Sequence, residues 1–136
     1  MMERELVVKR LAWIEVCVER LRRLAKPEQL AVDPIMLAFV EHTLQTAIQG
    51  AIDVAAVIVG ERKLGEPDAA QSLFRLLAQD GWLTGQQAEA WQKIVGFRNV
   101  IVHRYLEVNP EIVRAVLESK LGDLTAFVHA VRDKVV

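Results

Sequence analysis

Apolar residues recur along this chain at steps of three and four, the period of α-helices that bury one face. Leu6, Leu11, Ile14, Val18, Leu21 and Leu24 predict a first helix over about residues 3–25. Lys26-Pro27 ends it, because proline disfavours helix in the residue before it. Asp33-Pro34 pairs a capping carboxylate with proline at the first helical position and opens a second helix. That helix is expected to run to Val59, with Gly60 as a left-handed stop. Pro67 is expected to open a third, shorter helix through Leu73, Leu76 and Leu77, closed at Asp80-Gly81. Thr84 and Gln87 have the spacing of a capping box and start a fourth helix carrying Trp91, Ile94, Val95 and Phe97. Asn109-Pro110 repeats the cap-then-proline signal, and a last helix follows, weakened at Gly122.

Nothing reads as a sheet. Val100-Ile101-Val102 is β-branched but short, with no neighbouring strand to pair with. The expected fold is therefore all-α: an antiparallel bundle of about five helices, joined by short connections, in a single domain over residues 1–136. At 52% hydrophobic residues the chain has enough apolar material for a core and for a subunit interface. The formal charge of −1 is not the footprint of a protein that holds nucleic acid by bulk attraction and counts modestly against RNA binding, though a local groove can still be positive. Cys17, the single cysteine, lies between Val16 and Val18 and reads as a buried, inert thiol that suits a reducing compartment. The N-terminal residues show no apolar signal core, and Val54 to Val59 is too short to span a bilayer. The expectation is a cytoplasmic protein with no membrane association.

The informative chemistry lies in Gly96-Phe97-Arg98-Asn99-Val100-Ile101-Val102-His103-Arg104-Tyr105. Arg98 offers a planar fork of donors that matches phosphate oxygens and keeps its charge at any working pH. His103 takes and gives a proton near neutrality, and Asn99 can orient either. Five residues along an ideal helix turn through about 140° of net azimuth. Arg98 and His103 therefore converge on one group only if the helix ends between them or a second chain closes the site. On the second helix Glu41, Gln45, Gln49 and Asp53 form a polar stripe at steps of four on an otherwise apolar segment. It reads equally well as a solvated face or as the lining of a cleft.

Arg-Asn-x3-His-x-Tyr, filled here by Arg98, Asn99, His103 and Tyr105, resembles the signature of HEPN ribonucleases of the HepT toxin type. Glu41, Gln45, Gln49 and Asp53 are similar to the polar series on that family's second helix, and length, helix order and motif position agree over most of the chain. The resemblance implies a HEPN-like homodimer whose two motifs face each other across a cleft. It implies an endoribonuclease toxin that cuts RNA without a metal, with Arg98 and His103 as catalytic residues and no cofactor. It also implies a partner antitoxin, a minimal MntA-like nucleotidyltransferase, which silences the toxin by AMPylation of the motif tyrosine, here Tyr105.

Plainer readings stand beside these. An isolated histidine at a helix end is more often a capping or core residue, and Tyr105 alone reads as a core-edge aromatic. His42 and His129 have no motif around them, and Trp13, Trp82 and Trp91 read as packing residues. Arg20, Arg22, Arg23 and Lys26 suit a solvated helix end near the C-terminal dipole better than an RNA track. A di-metal bundle is excluded, because Phe39, Val100 and Ala126 stand where a Glu-x-x-His pair needs glutamate. Gly60 and Gly65 belong to no phosphate-loop pattern. The alternative to a nuclease is a non-catalytic helical subunit that binds a nucleotidyltransferase or a nucleotide.

Overall fold

In the computed structural model, which describes residues 3–103 and 108–135 and only the backbone of His103, six α-helices account for most of the chain. They are α1 (Arg4–Leu24), α2 (Pro34–Glu61), α3 (Ala70–Gln79), α4 (Gly85–His103), α5 (Pro110–Ser119) and α6 (Leu121–Val135). No strand occurs among the described residues. A 3₁₀ turn at Pro27–Gln29 links α1 to α2.

Three of the helix starts follow from their capping residues. Asp33 accepts from the backbone amides of Ile35 and Met36. Thr84 and Gln87 form the reciprocal box, at 2.8 and 3.0 Å. Asn109 accepts from the amide of Glu111. Each removes a free amide that the first turn would otherwise leave unpaired.

The end of α2, the start of α3 and the last helix depart from the expectation, whereas α3 closes at Asp80-Gly81 as expected. Gly60 is helical, and α2 continues to Glu61. The stop is a Schellman motif: the amide of Leu64 bonds the carbonyl of Val59, and that of Lys63 bonds Gly60. Lys63, not Gly60, takes the left-handed conformation, at φ 54°. Leu64 then folds back against the core. Helix α3 starts at Ala70, three residues after Pro67, with the Ser72 hydroxyl bonded to Asp68. It closes in the same motif as α2, with Gly81 at φ 83° and the Trp82 amide on the carbonyl of Leu77. The expected last helix is two helices, broken at Lys120 rather than weakened at Gly122. Ser119 turns its hydroxyl onto the carbonyl of Ala115 there, a local bond that competes with the helical ladder.

Helix α2 is the axis of the bundle and packs against α1, α3, α4, α5 and α6. It is long and apolar enough to cross a bilayer, but 61% of its most apolar window is buried inside the bundle. That is the pattern of a core helix. The aromatic centre lies between α3, α4 and α6. Phe74 and Trp91 stack at 4.7 Å, and Phe127 closes on both at 5.8 and 5.1 Å. The first helix buries Val7, Leu11, Ile14, Cys17, Val18 and Leu21. Leu24, expected on that face, is exposed. Arg132 on α6 grips both carboxylate oxygens of Glu15 on α1, at 2.8 and 3.0 Å, fixing the C-terminal helix beside the first.

Candidate active site

The polar stripe of α2 divides into two places. Gln49 and Asp53 face α1, in a groove shared with Arg10, Trp13 and Thr46. Glu41 and Gln45 line a second cleft with Ala38, His42 and, from α4, Ile101 and Val102. Burial in this cleft pushes the Glu41 carboxyl above its ordinary range. All four residues of the stripe are partly exposed, two in each place.

Arg98 reaches from α4 to the first of these places. Its Nη2 donates to Oε1 of Gln49, and its Nη1 donates to Oδ1 of Asn99 at 3.2 Å. Gln49 in turn donates Nε2 to Oδ1 of Asp53 at 2.8 Å. Arg10 on α1 donates Nε to the other carboxylate oxygen of Asp53 at 3.3 Å. A continuous chain of hydrogen bonds therefore runs Asn99–Arg98–Gln49–Asp53–Arg10 across α4, α2 and α1. Both partners of Arg98 are neutral amides, and no carboxylate pairs with it among the described residues. Its Nε is buried without a partner among those residues.

The helix does not end between Arg98 and His103. Helix α4 runs unbroken through Arg98 to His103, so the register separates these two positions by about 140°. Arg98 shares the inward side of α4 with the buried Trp91, Ile94 and Ile101, whereas position 103 lies well round from that side. Within one chain, α4 therefore does not turn position 103 toward the side that carries Arg98. The side chain of His103 and the whole of Tyr105 lie outside the described residues.

Among the other candidates, Asn99 supports Arg98 directly, whereas Glu41 and Gln45 make no bond to it. His42 and His129 are exposed, and Cys17 is fully buried with its thiol pushed up by desolvation. Arg20 sits over the Trp13 ring at 5.5 Å and Arg23 pairs with Glu19 on its own helix, as a solvated helix end would. Arg10 was not legible as a site residue. Its only trace in the sequence is the presence of Asp53 in the middle of an apolar helix, a charge that asks for a partner. No group of three His, Cys, Asp or Glu side chains that could hold a metal occurs among the described residues.

An all-helical bundle that sets Arg98 in a polar groove, with a histidine five residues later, is the arrangement that the HEPN resemblance implies. The family model described as Ribonuclease HepT-like matches residues 14–131, and the chain belongs to this ribonuclease family. It is 30% identical over 129 residues to the mRNA nuclease HepT of Shewanella oneidensis, covering 94% of this chain and 97% of that protein. Among solved structures, the tri-AMPylated Shewanella oneidensis HEPN toxin in complex with MNT antitoxin matches with a TM-score of 0.86 and 29% identity, over 94% of this chain and 97% of that one. A toxin–antitoxin complex with AMP-PNP matches with a TM-score of 0.88 and 28% identity, over 95% and 98%.

Proposed function

We propose that this protein is a metal-independent endoribonuclease toxin that acts as a homodimer in the cytoplasm. The observation that carries this reading is the state of Arg98: half-buried, held by two neutral amides and without a carboxylate partner among the described residues. Such a guanidinium keeps its charge for an anion that arrives from outside.

The chemistry follows from the two side chains. His103 withdraws the proton of a ribose 2′-hydroxyl, and the oxygen attacks the adjacent phosphorus. Arg98 stabilises the charge that builds on the phosphorane oxygens. The bond to the 5′-oxygen breaks, and His103 of the second copy returns a proton to it. The products carry a 2′,3′-cyclic phosphate and a 5′-hydroxyl. A dimer satisfies the helix register, because the second copy supplies what one unbroken α4 cannot turn toward the same phosphate. Asn99 and Gln49 hold the guanidinium, with Asp53 behind Gln49, and Glu41 and Gln45 line the cleft between α2 and α4.

The partner is a minimal, MntA-like nucleotidyltransferase antitoxin. It transfers AMP from ATP to the Tyr105 hydroxyl and releases pyrophosphate. The adduct places bulk and negative charge two residues from His103, where the RNA phosphate has to enter. The AMPylated relative bound to its antitoxin supports this route.

Expression in a bacterial host tests the reading: growth arrest by the wild type, lost in His103→Ala and Arg98→Ala at equal protein levels, is expected. Arrest by all three would remove the nuclease site. Antitoxin binding without arrest by any of them would favour a non-catalytic subunit.

A further inference from the structure

The hydrogen-bond chain behind Arg98 has a direction, and its chemistry sets that direction from the far end. A glutamine amide has one accepting end and one donating end. The guanidinium of Arg98 only donates, so it needs the oxygen of Gln49. Were the amide reversed, its NH2 would face the guanidinium, donor against donor. The carboxylate of Asp53 only accepts, so it selects the NH2 end of Gln49. Asp53 has two oxygens to divide, and Arg10 takes the second.

We propose that Asp53, held by Arg10, is a positioning residue: it fixes the amide of Gln49 with its oxygen toward Arg98 and so aims the guanidinium while leaving its charge uncompensated. This deepens the nuclease reading and rests on Arg98 meeting the scissile phosphate. The placement of charge explains why the residue beside Arg98 is an amide. A carboxylate at position 49 would hold the guanidinium as well but would compensate its charge. Here the negative charge stands one helical turn further on, at Asp53, where Arg10 answers it. The Arg10–Asp53 pair is itself open to solvent, with side chains 42% and 37% exposed. A pair so exposed adds little to stability. Its consequence lies in what it holds.

Two variants separate position from charge. Asp53→Leu removes the acceptor that selects the amide, so Gln49 turns freely and Arg98 loses its fixed partner. The double variant Gln49→Glu/Asp53→Asn keeps every bond. The carboxylate introduced at position 49 accepts from Arg98 and from the amide NH2 introduced at position 53. The oxygen of that new amide accepts from Arg10. The exchange moves the negative charge directly onto Arg98.

The experiment records the side-chain nitrogen NMR signals of Arg98 in the full chain, together with kcat and KM on a single-stranded RNA oligonucleotide and the melting temperature. Slow rotation of the guanidinium is expected in the wild type and in the double variant, and averaged signals in Asp53→Leu. Cleavage by Asp53→Leu is expected to fall in kcat by about 10²-fold, the usual result of misplacing a catalytic group by about an ångström. In the double variant KM is expected to rise and its salt dependence to weaken. Identical Arg98 signals in wild type and Asp53→Leu would overturn the positioning role, whatever the activity. Unchanged KM in the double variant would overturn the role of charge placement. Arg98→Ala serves as the control. If it still cleaves, the nuclease reading fails and the NMR comparison alone decides the positioning. If it is inactive while Asp53→Leu keeps the wild-type kcat, only the present inference fails.

Discussion

Arg98 and Gln49 stand 49 residues apart in sequence, yet the guanidinium of one donates to the amide oxygen of the other where α4 crosses α2. With Asn99 taking the second Nη, the fork is held at two points by groups that carry no charge. Lysine cannot reproduce this, since an ammonium is a point charge on a flexible stem. Arg98→Lys is expected to lower RNA cleavage by about 10²–10³-fold, the usual loss when one transition-state donor is removed. Melting temperature should change little. Cleavage rates and thermal unfolding of the same preparation check both halves of this expectation.

Two carboxylates should respond to pH in opposite senses. Burial in the α2–α4 cleft raises the Glu41 carboxyl from its ordinary value of 4.5. The folded state therefore disfavours the charged form, and the stability present below pH 4.5 is lost as pH rises through the raised value. Glu41→Gln is expected to melt above the wild type at neutral pH and level with it at acid pH. The Arg132 guanidinium bonded to Glu15 holds that carboxyl below 4.5. The contribution of this pair is present above pH 4.5 and lost as pH falls through the lowered value. Arg132→Met should cost about 1 kcal/mol or less at neutral pH, given the exposure of the pair. The cost should vanish in acid. Melting curves of the two variants across pH 3–8 measure both signs.

Helices α2 and α3 end in the same motif with different residues at the left-handed position, Lys63 and Gly81. The left-handed conformation strains any residue with a Cβ, by about 1–2 kcal/mol. Glycine removes that strain but gains freedom in the unfolded chain, which takes back about 0.4–1 kcal/mol. Lys63→Gly is therefore expected to stabilise the fold by about 0.5 kcal/mol. Urea unfolding shows this as a shift of the midpoint at constant slope.

Co-expression with a minimal nucleotidyltransferase antitoxin should add one or more AMP groups to Tyr105 and abolish RNA cleavage. Tandem mass spectrometry of the peptide containing Tyr105, paired with the cleavage assay, reads this. An unmodified tyrosine on a silenced protein would discard the AMPylation route.

Much of the architecture was legible because helix starts are local events. Asp33, Thr84 and Asn109 each cap the helix that their spacing announces. The end of α3 at Asp80-Gly81 was legible too, whereas the end of α2 was not, because it depends on what the following residue can bury. Leu64 finds the core one residue beyond Lys63, so α2 runs past the glycine that could have stopped it. The break at Lys120 depends on α5 and α6 following different surfaces, which periodicity along a single run does not reveal. At the site, Arg98, Asn99 and the α2 stripe were recognisable as residues that belong together. That Gln49 alone of the four meets Arg98, and that Arg10 closes the chain from α1, is set by how three helices cross. No spacing within one helix encodes it.

In the proposed reaction, Arg98 and His103 bring about attack by a ribose 2′-hydroxyl on one phosphodiester. The most direct measurement is mass spectrometry of the ends left on an RNA oligonucleotide cut in excess chelator, alongside the same oligonucleotide with a single 2′-deoxy sugar at the cut position. A 2′,3′-cyclic phosphate and a 5′-hydroxyl are expected from the first, no cut at the modified position in the second, and no product at all with His103→Ala. Cleavage at the 2′-deoxy position, or ends carrying a 3′-hydroxyl and a 5′-phosphate, would contradict it.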